Sequence, residues 1–134
     1  MDARLLEDLA DVYRDLHANP ELGFAETRTA AIVAERLRAI GFDVTEGVGV
    51  TGVVGVLDRG TGPVVLLRAD MDALPVAEET GLPYASVATG QLDGKEVPVM
   101  HACGHDMHVT ALLGALTVLA AQDDWSGRIL AVFQ

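Results

Sequence analysis

Thiol chemistry is nearly absent from this sequence, in which Cys103 is the one cysteine. A lone cysteine excludes a disulfide within the chain and leaves a thiol to be explained by packing, redox chemistry or metal ligation. Basic residues are also scarce, with 9 Lys and Arg against 20 Asp and Glu, and the net charge of -11 repels phosphate backbones and anionic lipid. Neither nucleic acid nor a membrane surface is expected as a partner. Long hydrophobic runs are missing too. The longest, residues 111–121, is interrupted by Gly114 and Thr117 and falls well short of the ~20 residues a bilayer span requires. Met1-Asp2-Ala3-Arg4 opens directly into an acidic amphipathic segment without the apolar core of a secretory signal, so a cytoplasmic location is expected.

The 134 residues, 50% of them hydrophobic, suffice for one core and are too few for two ordinary domains. Leu5, Leu6, Leu9, Val12 and Leu16 recur at helical spacing with charges between them, which predicts an amphipathic helix stopping near Asn19-Pro20. Ala30, Val33, Leu37 and Ile40 predict a second helix, with Glu26 early, Arg36 and Arg38 late, and Gly41 just past its end. Residues 53–57 and 64–68 are rich in β-branched and aliphatic side chains and are separated by a turn-like Asp58-Arg59-Gly60-Thr61-Gly62-Pro63, so both read as strands. The unbroken apolar run 64–67 predicts a strand covered on both faces. Residues 69–99 lack periodicity and read as a long loop, with a small hairpin turning at Asp93-Gly94. Residues 106–121 predict a helix buried nearly all round, and 128–133 another core strand. This order favours α/β layering.

Two clusters carry chemistry, each read as lying just beyond the C-terminal end of a strand, where an α/β sheet usually places it. The first is Arg68-Ala69-Asp70-Met71-Asp72-Ala73-Leu74-Pro75. Two carboxylates at i, i+2 after a buried strand can face one site, where a cation or protons must offset their repulsion. Alone, the pair reads as a solvated turn. The second is Met100-His101-Ala102-Cys103-Gly104-His105-Asp106-Met107-His108, which gathers three of the four histidines and the only cysteine. Cys103 and His105 can turn a thiolate and an imidazole toward one borderline-soft divalent cation. A free cysteine is commonly a small buried hydrophobe, but beside His105 and before a helix start ligation is the reading taken. His108 reads as an ordinary helical histidine. His101 either orients a ligand by hydrogen bond or is a plain loop histidine, and Asp106 has the alternative of capping the following helix. His17 reads only as a cation at a helix C-terminus. Gly47-Val48-Gly49-Val50-Thr51-Gly52 matches the dinucleotide-binding G-x-G-x-x-G, but a strand follows it where that fingerprint needs a helix, so the match is accidental.

In this order and at this separation, the two clusters resemble the aminoacylase and carboxypeptidase-like metallopeptidases, in particular the hippurate hydrolase and indoleacetyl-amino-acid hydrolase branch. Leu16-His17-Ala18-Asn19-Pro20-Glu21-Leu22-Gly23-Phe24, with Glu26 and Thr29, is similar to the opening segment of that branch. The resemblance implies a three-layer αβα, zinc-peptidase-like catalytic domain with a largely parallel central sheet, of which residues 1–134 form the N-terminal part. It implies metal ligation by Cys103 and His105 and a catalytic carboxylate at Asp72 that orients a histidine ligand or tunes the metal site. Asp70 stands where the wider family has a metal-binding histidine, so a ligand role does not carry over to it, and Asp70, His101 and Asp106 remain candidates for supporting the ligands. It further implies two divalent ions in a complete site (zinc, manganese, cobalt or nickel), an N-acyl amino acid substrate and a homo-oligomeric parent. Glutamates acting as base and ligand, further histidine ligands and a smaller dimerisation domain are expected after position 134. The chain alone is then expected to be inactive, and a noncatalytic metal-binding or partner-binding module is the rival reading. A cysteine hydrolase using Cys103 is the other rival, which i, i+2 adjacency to His105 disfavours.

Overall fold

The structure, a computed structural model, describes residues 2–134. Helix α1 (Ala3–Ala18) buries Leu9, Val12 and Leu16 of the predicted stripe, while Leu5 is partly buried and Leu6 exposed, and Asp2 caps it by accepting from the Arg4 amide. Helix α2 (Thr27–Ala39) lacks a cap from its own N-cap residue. Glu21 supplies one instead, its carboxylate accepting from the amides of Arg28 and Thr29 at 2.9 and 2.8 Å, where a helix N-terminus favours negative charge. At the other end the Phe42 amide donates to Leu37 and the Gly41 amide to Arg38. This paired closure needs a left-handed residue, which Gly41 provides at φ 91°.

The remaining elements are β1 (Asp43–Val48), β2 (Gly52–Arg59), β3 (Val64–Ala69), β4 (Thr89–Leu92), β5 (Lys95–Pro98), α3 (His105–Ala120) and β6 (Gly127–Phe133). Strand β1 has no counterpart in the sequence reading. Its side chains are mostly exposed, so it carries no alternating apolar signal. β4 and β5 form the predicted hairpin, with Asp93 and Gly94 both at positive φ as a two-residue turn requires. Gly47 to Gly52 runs from the end of β1 through the turn into the start of β2, so a strand and not a helix follows it in the chain.

The main sheet has the order β1-β2-β6-β3. β3 and β6 run parallel, Val64 opposite Arg128 through Ala69 opposite Phe133, so both strands end on the same side, as expected. The other two pairings are antiparallel. Within these residues the sheet is therefore mixed, and the expected largely parallel pairing is confined to β3 and β6, because β1 and β2 return as a hairpin instead of through a helical crossover.

The core unites Leu16, Val33, Leu37, Val109, Leu113 and Leu116 from the helices with Val53, Ile129, Ala131 and Phe133 from the sheet. Those strand residues share one face in the paired register. The described residues thus supply two of the expected three layers. β3 is an edge strand with Val64, Val65 and Leu66 exposed, so the expectation of cover on both faces is not met here. α3 likewise buries one face, Asp106, Val109, Thr110, Leu113, Gly114 and Leu116, instead of its whole circumference. A Cβ on Gly114 would come within 2.7 Å of Leu9 Cδ1, which shows how closely α1 and α3 approach. Among the described residues no helix is long and apolar enough to cross a membrane.

Candidate metal centre

Beyond the end of β3 the ladder with β6 continues by one step. The Gln134 amide donates to Ala69 and the Met71 amide to Gln134, so residues 69–71 stay extended. Met71 turns fully into the core. Alternation then sends Asp70 and Asp72 to the opposite side, toward the open end of the parallel pair, the usual location of chemistry in such sheets. A cavity of about 350 Å³ opens there, lined by Glu26, Thr51, Asp70, Asp72 and Gln134.

Asp72 meets His105 across 33 positions of sequence. His105 Nδ1 lies 2.8 Å from Asp72 Oδ1 and 2.9 Å from the Asp72 carbonyl oxygen. Both partners only accept, so Nδ1 carries the proton and donates, which leaves Nε2 with a free lone pair. A histidine oriented in this way by a carboxylate is the arrangement that prepares imidazole as a metal ligand. His105 begins α3 directly after Gly104, whose φ of 77° turns the chain from the loop into the helix.

The other predicted residues divide. Asp70 Oδ1 accepts from Arg68 Nη2 at 2.6 Å, while the hydrogen bonds of His105 go to Asp72. Cys103 is exposed as a free thiol. Among the described residues no group of three or more His, Cys, Asp or Glu side chains assembles into a metal-holding cluster. His101 is 5% exposed, neither ring nitrogen has a hydrogen-bond partner, and burial pushes its pKa down, which favours the neutral ring. His108 is exposed on α3 with its ring centroid 5.5 Å from that of His105. Two donor types that divalent cations take are present here, a thiol at Cys103 and an imidazole at His105 whose Nε2 is left free by the bond to Asp72.

Two expectations need correction. Asp106 is not the N-cap of α3, a position held by Gly104; it sits in the first turn, buried. His17 is more than a cation at the end of α1. Its Nδ1 lies 2.7 Å from Asp106 Oδ2 and its Nε2 3.0 Å from Glu78 Oε1. Burial pushes the His17 pKa down, but hydrogen bonds to Glu78 and Asp106 and their charges outweigh that and hold it above the ordinary histidine value. Glu78 was not anticipated, since it lies in an aperiodic loop where a glutamate reads as solvated. The signal for His17 was its place beside the apolar stripe of α1, one residue after the fully buried Leu16.

An α/β layer with a carboxylate-oriented histidine at the shared end of parallel strands defines a domain of the zinc-peptidase-like class. The chain belongs to peptidase family M20/M25/M40, whose profile matches residues 66–134. It is 48% identical to the hippurate hydrolase of Campylobacter jejuni over 92% of this chain and 30% of that protein. It is also 47% identical to thermostable carboxypeptidase 1 of Saccharolobus solfataricus, over 99% of this chain and 33% of that one. Among solved structures, the YXEP protein of Bacillus subtilis, described as a dinuclear metal binding peptidase of the M20 family, superposes with a TM-score of 0.86 at 34% identity, covering 100% of this chain and 36% of that one. The chain thus spans about a third of the length of these relatives.

Proposed function

We propose that the protein carrying this chain is a metal-dependent amidohydrolase that splits N-acyl amino acids, amides whose amine half bears a free carboxylate, into an amino acid and a carboxylic acid. The observation that carries this reading is the Asp72 and His105 pair at the shared end of β3 and β6. The names of relatives, hippurate hydrolase among them, support the substrate class. Cys103 and His105 would hold the metal, with Asp72 fixing the orientation and tautomer of His105. When bound, a divalent ion such as zinc, manganese, cobalt or nickel supplies Lewis acidity toward the scissile carbonyl. His101 and Asp106 are buried beside the ligands in sequence, His101 without the hydrogen bond that would orient one of them, and Asp70, paired with Arg68, borders the cavity. The group that moves the proton is proposed to be a glutamate outside these residues.

The test is hydrolysis of N-benzoylglycine and of N-acetyl amino acids by the whole protein, with each metal and after chelation. Turnover that requires metal and vanishes in Cys103→Ala and His105→Ala is the expected result. Turnover that survives chelation but not Cys103→Ala would assign a cysteine nucleophile instead. A second reading is a noncatalytic metal-binding or partner-binding domain. Metal binding by the whole protein without turnover would select it.

A further inference from the structure

The machinery proposed above leaves a buried ionic cluster unused. His17 is 5% exposed and stands between two carboxylates, Asp106 on one ring nitrogen and Glu78 on the other. Carboxylates only accept, so the ring donates from both sides. Tyr13 and Tyr84 flank it, with centroids 5.6 and 5.5 Å away. Glu78 in turn accepts from the Ser86 amide at 2.6 Å and from the Thr80 hydroxyl. One ring therefore ties together the end of α1, the loop that carries Glu78, and the first turn of α3.

That first turn is where His105 sits, and it has no side-chain cap from its N-cap residue Gly104. Its anchoring falls to Asp106, which divides its oxygens: Oδ1 accepts from the Met107 amide at 2.8 Å and Oδ2 faces His17. His105, one residue earlier, is held from the other side by Asp72. The turn is thus fixed at two adjacent residues by partners from different elements.

We propose that His17 is a positioning residue for this end of α3: acting through Asp106, it sets where His105 meets Asp72. The functional meaning rests on the metal-centre reading; the geometric claim does not need a metal. Side-chain length supplies the test. In His17→Asn the carboxamide nitrogen falls near the former Nδ1 and keeps a donor toward Asp106, whereas in His17→Gln it falls near the former Nε2 and keeps a donor toward Glu78 only. The ¹⁵N shifts of the His105 ring are recorded on the metal-free chain at about pH 8, above the ordinary histidine range, and zinc affinity is measured separately.

His17→Asn is expected to retain the Nδ1-protonated signature of His105. His17→Gln is expected to give mixed tautomers and to lose zinc affinity by about tenfold or more, the scale on which partners of ligands act. An unchanged His105 signature in His17→Gln, equal loss in both variants, or failure of both to fold would overturn the assignment, since each would make His17 a packing residue alone. Should only His17→Gln fail to fold, His17→Asn decides by itself, a retained signature supporting the assignment and a lost one overturning it. If the unsubstituted chain binds no zinc, the metal reading fails separately, and the ring signature still decides the role of His17.

Discussion

Asp72 and His105 were legible as residues before they were legible as a pair. The spacing of two carboxylates after an apolar run, and of a cysteine and a histidine around a glycine, marked them out, whereas their hydrogen bond closes a 33-residue separation that no local pattern encodes. Replacing Asp72 by Ala leaves His105 Nδ1 only a backbone carbonyl, and zinc affinity is expected to fall about 10- to 100-fold in a titration of the chain; an unchanged affinity would remove Asp72 from the centre. The His17 cluster gives a second prediction at this scale. Its raised pKa contributes stability that is fully present below the ordinary histidine value and is lost as pH rises through the higher folded value. Burial pushes the Glu78 pKa up, but Thr80, the Ser86 amide and His17 outweigh it and hold the carboxyl below its ordinary value. Its contribution is present above the ordinary glutamate value and is lost as pH falls through the lower folded one. Unfolding followed from pH 3 to 9, roughly the span over which glutamate and histidine titrate, should show greatest stability between these limits. His17→Asn should flatten the alkaline decline; an alkaline limb as steep as before would place its origin elsewhere.

At the scale of elements, the two N-terminal helices were read from periodicity because each buries a single stripe, and Gly41 was read as a terminator because its closure needs a left-handed residue. The cap of α2 was not legible, since Glu21 reaches it from outside the helix. Glu21→Ala should destabilise the chain by about 0.5–2 kcal/mol in chemical denaturation, the ordinary worth of an N-terminal cap. The approach of α1 and α3 makes a further prediction. Gly114→Val would press two methyl groups against Leu9 and is expected to cost about 1–3 kcal/mol. A higher melting temperature in that variant would mean that the helix-forming gain over glycine exceeds the clash. Strand β1 escaped notice for the opposite reason: it is held by backbone pairing to β2 and buries little, so it leaves no hydrophobic trace.

For the molecule as a whole, the described residues bring together one oriented histidine and no third metal-holding side chain. With the proton-moving glutamate proposed to lie outside these residues, the 134-residue chain is expected to bind zinc weakly and to turn over N-acyl amino acids at least about 10²-fold below ordinary enzyme rates. Metal-dependent turnover near ordinary rates, abolished by Cys103→Ala, would show that other residues complete the site. Composition, periodicity and local spacing determined the α/β class, most of the elements, the candidate ligands and, by resemblance, the family, because each of these is written within short stretches of chain. Only the tertiary structure decided that the sheet is mixed, that β3 lies at its edge, that Asp72 orients His105 and that His17 bridges Asp106 and Glu78. Those facts depend on which distant segments share a face, and burial and hydrogen bonding settle that only when the whole chain packs at once.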